Sequence, residues 1–252
     1  MSGHSKWSTI KHKKAAIDAK RGQIFTKIAR EITVAARQAG GDPDMNPRLR
    51  LSLDKARSAN MPMENMDRAI KKGTGADQDS ANFEEIMYEG YSPGGAAVLL
   101  QVLTDNRNRT APEVRAAFSK AGGNMGEAGS VAWIFTSKAV VTVEEIDDEK
   151  ADEVALAAID AGAEDFKVED GTLEVYGPPS GLEAIRESVA ALGVEAAQAT
   201  VTMVPNNTVP LDDHTAMQTL KLLDRLEELD DVQQVFTNGD FSDDVLEEYR
   251  DA

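Results

Sequence analysis

Lys6-Trp7, Lys11-His12-Lys13-Lys14 and Lys20-Arg21 place point charges around a single indole at the start of the chain. Ammonium and guanidinium groups neutralise phosphates, and an indole gives a base something to stack on, so the chemistry these residue types offer is nucleic-acid binding. Lys27 and Arg30 continue the series. Residues 1–73 hold sixteen of the 27 Lys and Arg against seven Asp and Glu, a net charge of +9. Residues 74–252 carry −26, and the whole chain −17 with a pI near 4.6. One terminus attracts polyanions and the rest repels them. The competing account is a solvated face that keeps a helical bundle soluble; a +9 segment on so acidic a chain is more than solubility requires. Charge of this kind positions a protein on phosphates without reading sequence, so DNA and RNA stay equally open.

Other candidate sites are weaker. Arg107 and Arg109 precede a helix, with Thr110 as the expected N-cap and Pro112 in its first turn, and two arginines at a helix N-terminus suit a phosphate or a carboxylate. An exposed capping loop explains them equally well. The loop GGNMGEAGS at 122–130 resembles a phosphate cradle but lacks the Gly-Lys-Ser/Thr ending and leads into a strand, which favours a plain backbone turn. His4, His12 and His214 are too scattered for a metal site. Glu227-Glu228, Asp230-Asp231 and Asp147-Asp148-Glu149 read as helix termini and solvated faces. With no cysteine there is no disulfide, thiol nucleophile or zinc–thiolate centre. No Ser/His/Asp spacing, HExxH or GxSxG motif appears. The expectation is a chain without cofactor, metal, catalytic residues or small-molecule substrate.

The elements that must position these residues follow from periodicity. Residues 1–22 are polar and read as an arm that orders on a partner. Residues 23–39 form an amphipathic helix with Ile24, Ile28, Ile32 and Ala35 inward; at about 100° per residue, Lys20, Lys27, Arg30 and Arg37 fall on the opposite, outer face. Gly40-Gly41 ends it. Asn46-Pro47 caps a second helix to about residue 58, and Pro62 opens a third that ends near Gly73. After a polar linker at 74–83 the grammar changes to strands at 86–91 and 96–103, a helix at 106–121, and strands at 131–135 and 139–143. Then come a helix at 148–161, strands at 165–168 and 173–176, a helix at 180–192 and a strand at 199–204. A helix at 215–229 and a strand at 232–236 close the series.

Counting these elements predicts the architecture. Residues 137–205 supply a full βαββαβ unit, whereas 83–136 lacks a helix and a strand that 206–242 provides. The fold class expected is α+β multidomain: a basic three-helix domain at 1–75, a discontinuous middle domain at 83–136 plus 206–242, and an inserted domain at 137–205. The last two are both ferredoxin-like α/β sandwiches. No apolar run approaches the ~18 residues of a membrane span. The acid-poor start has the look of a mitochondrial transit peptide, but the basic residues run on through folded helices, and a cytoplasmic protein is expected.

Several blocks carry a family resemblance: GHSKWSTIKHKKAAIDAKRGQIFTKIAREI at 3–32, NMPMENMDRAIKKGTG at 60–75, YEGYSPGG at 88–95, LTDNRNRTAPEVRAAFSKAGGNMGEAGSVAWIF at 103–135 and LDDVQQVFTNGDF at 229–241. Together they resemble the YebC family over nearly the whole chain. The resemblance implies a three-domain, non-enzymatic, cytoplasmic protein, a probable transcriptional regulator binding DNA. It implies as an alternative a translation factor that acts on ribosomes where proline-rich stretches slow peptide-bond formation, with ribosomal RNA as partner. A metal-dependent phosphoesterase using the acidic clusters is a distant third reading.

Overall fold

The computed structural model describes residues 19–75 and 83–251. Three helices come first: α1 (Ala19–Ala39), α2 (Pro47–Ser58) and α3 (Met63–Gly73). Ile28, Ile32, Ala35 and Ala36 of α1 pack with Leu49, Leu53 and Ala56 of α2 and Met66 and Ala69 of α3. Ile24 lies one turn earlier and is exposed, so the apolar stripe begins at Phe25 and Ile28. Asn46 joins two helix ends. Its Oδ1 accepts from Leu49 N at 3.1 Å, capping α2, while its Nδ2 donates to the Ala35 and Gly40 carbonyls, each at 2.8 Å. Gly73 is where α3 meets α1: a Cβ there would stand 2.4 Å from the Thr33 carbonyl oxygen and 2.7 Å from the Ala36 Cβ. No side chain fits at that crossing.

The middle of the chain begins with β1 (Glu84–Tyr91) and β2 (Ala97–Thr104), an antiparallel hairpin closed at Ser92-Pro93-Gly94-Gly95. Gly94 and Gly95 both take positive φ in that turn, a conformation glycine adopts without strain. Next come α4 (Arg107–Lys120) and β3 (Asn124–Met125). A separate unit follows, with β4 (Phe135–Val143), α5 (Asp148–Asp160), β5 (Asp165–Glu169), β6 (Thr172–Gly177), α6 (Leu182–Ala191) and β7 (Gln198–Pro205). The chain ends with β8 (Val209–Pro210), α7 (Asp213–Glu227), β9 (Val232–Thr237), β10 (Gly239–Asp240) and α8 (Asp243–Asp251).

The unit spanning Trp133–Asn207 is compact by itself. Its sheet runs β5-β6-β4-β7, all antiparallel, which is the split-βαβ order of a ferredoxin-like fold. Val141, Leu173 and Val175 of the sheet are buried, as are Val154, Ala155 and Ala158 of α5 and Ile185 and Val189 of α6. The other sheet runs β3-β1-β2-β9, with β9 antiparallel to β2 across the interruption (Leu100 opposite Val235). Val98, Leu100 and Val102 face a core made with Val114 and Phe118 of α4, Leu220 and Leu223 of α7, and Val245, Leu246 and Tyr249 of α8. Leu99 and Leu103, on the opposite face of β2, are fully buried too, so this strand is covered on both sides. Both sheets have the same helix-on-sheet layers, but this one places its hairpin at the centre, a different path through similar architecture.

Three local expectations are corrected. Residues 132–134 form a 3-10 turn, and β4 is one strand from Phe135, where periodicity suggested two strands at 131–135 and 139–143. The N-cap of α4 is Asn106, whose side chain accepts from Arg109 N; Thr110 is instead fully buried inside the helix, and Pro112 lies beyond the first turn. The helix α8 had no counterpart in the sequence reading.

Candidate nucleic-acid interface

Lys6, Trp7, Lys11, His12, Lys13 and Lys14 lie outside the described residues. Lys20 and Arg21 belong to the first turn of α1 by backbone alone. What the structure places is the rest of the basic set, and it corrects the orientation expected of α1. Lys27 Nζ donates to the Glu227 carbonyl at 2.5 Å, at the C-terminal end of α7, where carbonyl dipoles favour a cation. Arg30 Nη1 donates to the Asp230 carbonyl at 2.5 Å and to Asp231 Oδ1 at 2.8 Å. The stripe read as outward-facing is turned, at these two positions, onto the acidic α7–β9 junction.

Asp231 also binds one of the two arginines at the start of α4. Arg109 Nη2 donates to Asp231 Oδ2 at 2.8 Å and to Asp105 Oδ1 at 3.0 Å. Thr110 Oγ1 donates to Asp231 Oδ2 at 2.6 Å, and Leu103 N donates to the Asp231 carbonyl at 2.9 Å. The Asp231 side chain is 3% exposed, so this acid is not part of a solvated face. Burial pushes its carboxyl pKa up, but the Thr110 hydroxyl, Arg109 and Arg30 outweigh burial and hold it below the ordinary carboxylate value. Arg107 pairs with Glu84. Both arginines proposed for an external anion therefore already have carboxylate partners.

The glycine-rich loop is satisfied from within as well. Glu89, buried in β1, accepts from Gly129 N at 2.6 Å, Val131 N at 2.5 Å and Ala132 N at 2.7 Å. Burial opposes its ionisation, and the three backbone N–H groups overcome that and lower its pKa. Within the loop, the Gly129 amide is thus held by the protein's own carboxylate, and the Gly122, Gly123 and Gly126 amides donate to the Ser119, Phe118 and Glu89 carbonyls. Sequence reasoning missed both Glu89 and Asp231. The available signal for Glu89 was an acid inside an otherwise strand-like run; nothing separated Asp231 from its acidic neighbours. Asp147, read as a helix terminus, caps α5 by accepting from Lys150 N at 2.8 Å, and Asp212 caps α7 by accepting from Thr215 N at 3.1 Å.

Elsewhere on the three helices, Arg48 pairs with Glu85, Lys55 with Glu31 and Arg57 with Asp54. Arg68 and Lys71 are exposed on α3 and enter no salt bridge with a described residue. Arg68 borders an open groove of about 370 Å³ between α1 and α3. Among the described residues, no group of three or more His, Cys, Asp or Glu could hold a metal ion, and no helix is long and apolar enough to cross a membrane.

Comparison with known proteins matches residues 5–76 to the TACO1/YebC protein N-terminal domain and residues 83–239 to the TACO1/YebC second and third domain. The chain belongs to the TACO1/YebC family. A relative from Trichlorobacter lovleyi is 54% identical over 247 residues, covering 98% of this chain and 99% of its own length. One from Treponema pallidum is 54% identical over 248 residues, covering 98% of this chain and all of its own. Each bears the name "Probable transcriptional regulatory protein". The crystal structure of a conserved hypothetical protein from Aquifex aeolicus superposes with a TM-score of 0.80 at 45% identity, covering 91% of this chain and 94% of that one.

Proposed function

We propose that this TACO1/YebC family member is a non-enzymatic, cytoplasmic, nucleic-acid-binding regulator of gene expression that docks its N-terminal segment on DNA phosphates. Lys6, Lys11, Lys13, Lys14, Lys20 and Arg21 are the contacts, and Trp7 and His12 the flat surfaces among them. The observation that carries this reading is the charge division, +9 in residues 1–73 against −26 in the remainder. The relatives' shared name as regulators supports it. Lys27, Arg30, Arg107 and Arg109 reach a nucleic acid only by leaving their present partners.

One observation favours a second reading, in which the same segment lies on ribosomal RNA and the protein serves translation at proline-rich stretches. Lys27 and Arg30 turn α1 toward the α7–β9 junction, which leaves that helix poorly placed to enter a duplex major groove. Contact by charge and shape is how folded RNA is commonly held. Lysate fractionation on a sucrose gradient, with and without RNase, separates the two. Comigration with ribosomal subunits that RNase abolishes supports the RNA reading. Retention on a specific promoter fragment at about 150 mM salt against random competitor supports the DNA reading.

A further inference from the structure

The groove between α1 and α3 differs from the rest of this acidic molecule in its lining. Among the described residues, every ionisable side chain bordering it is a cation: Arg30, Arg68 and Lys72. Two phenyl rings, Phe25 and Phe83, and the Asn65 amide complete the relevant set. A larger groove on the middle domain, about 500 Å³, mixes Lys120, Lys221 and Arg225 with Asp224 and Glu228, and so offers an anion no uniform field. On a chain of net charge −17, a cleft with no carboxylate among its described lining residues stands out.

The lining is ordered. The Arg30 guanidinium carbon stands 5.6 Å from the centre of the Phe83 ring, and Lys72 Nζ 5.8 Å from it, within cation–π range. Asn65, Arg68 and Lys72 recur at i, i+3 and i+7 of α3, which puts them along one side of that helix. The groove thus sets the exposed Arg68, the half-buried Lys72 and Arg30, an amide able to donate and accept, and aromatic surface within the space of one small ligand.

We propose that this groove is a nucleotide subsite, which takes one unpaired nucleotide of a nucleic-acid strand with its phosphate on Arg68 and Lys72 and its base against Phe25. Asn65 meets the edge of the base. Arg30 stays on Asp231 and holds Phe83 at the border. An unpaired nucleotide fits because the ring surface is usable only by a base whose faces are free, as in single strands and loops. This inference rests on the nucleic-acid reading above and adds to it a place where a base, and not only phosphate, is recognised.

The test uses the full chain and single-stranded 12-mers, in RNA and DNA versions, with 2-aminopurine at a central position. Stacking in the groove quenches the probe at saturation. The pair Arg68→Ala with Lys72→Ala is expected to weaken binding at least about tenfold. Phe25→Leu is expected to hold affinity within a few-fold while losing the quench. Replacing Lys11, Lys13 and Lys14 by Ala weakens binding but leaves the quench at saturation. Binding and quench that survive the Arg68/Lys72 pair overturn the subsite and leave the N-terminal grip standing. Displacement of the probe by inorganic polyphosphate as readily as by unlabelled oligonucleotide of equal charge overturns the base contact. A wild-type protein that binds neither oligonucleotide overturns both the subsite and the reading beneath it. Tighter binding of one version assigns the source as RNA or DNA.

Discussion

A carboxylate buried without partners resists ionisation; Asp231 ionises more readily than a free one because Thr110, Arg109 and Arg30 converge on it. Its folded-state pKa lies below the unfolded value of about 3.9, so its stabilising contribution is complete above that pH and is lost as pH falls through the folded-state value. Glu89 has the same sign. Acid titration of the unfolding free energy should therefore show a decline beginning near about pH 4. Asp231→Asn should flatten that decline and cost about 2–3 kcal/mol at pH 7 in urea denaturation, since it strips two arginines of a charged partner. An unchanged acid limb in the variant would remove Asp231 from this role. At this scale the sequence was only partly legible. Clustered charge marks where cations are, but the partner of Arg30 is 201 residues away, and its identity depends on a strand pairing no local pattern reports.

Helix starts and stops were easier to read, because the residues that make them are local. Asn46-Pro47 announces α2, and the structure adds that the same amide also binds the α1 carbonyls of Ala35 and the following Gly40. Asn46→Ala removes a cap and leaves two carbonyls short of a donor, so a loss of about 2–4 kcal/mol is expected by chemical denaturation. Gly73→Ala drives a methyl into the Thr33 carbonyl and the Ala36 side chain; a loss of about 1–3 kcal/mol should follow, with a lowered melting temperature as the check. Local rules failed where tertiary contact decides. Thr110 is a good cap by type, yet Asn106 takes that place and Thr110 turns its hydroxyl to Asp231. The strand expected at 131–135 becomes a 3-10 turn at 132–134, and the Val131 and Ala132 amides at its start serve Glu89. The α8 stripe of Val245, Leu246 and Tyr249 was present in the sequence but sits among enough acids to pass for a tail.

Across the molecule, the charge division could be read from composition, but which cations stay exposed could not, because intramolecular pairing claims several of them. For the N-terminal grip, Lys11, Lys13 and Lys14 to Ala should reduce the slope of log affinity against log salt by roughly 2–3 on duplex DNA, as three phosphate contacts are lost. An unaltered slope would mean that these lysines do not touch phosphate. The interrupted sheet was visible by counting: a ββαβ run short of a helix and a strand, and a later αβ pair without a sheet. The pairing of β2 with β9 supplies the physical reason that count works, since β2 cannot leave its outer hydrogen-bonding edge bare in a buried layer.

That pairing also sets an order on biosynthesis. A ribosome delivers the three helices and the inserted unit well before residues 232–237, so the nascent middle layer waits with an open, apolar β2 border until β9 emerges. Asp231 arrives at the same late moment, and until then Arg30 has no carboxylate to hold it. A chain stopped at residue 229 should aggregate from its bare strand border, while the separate Trp133–Asn207 unit still shows protected amides by hydrogen exchange.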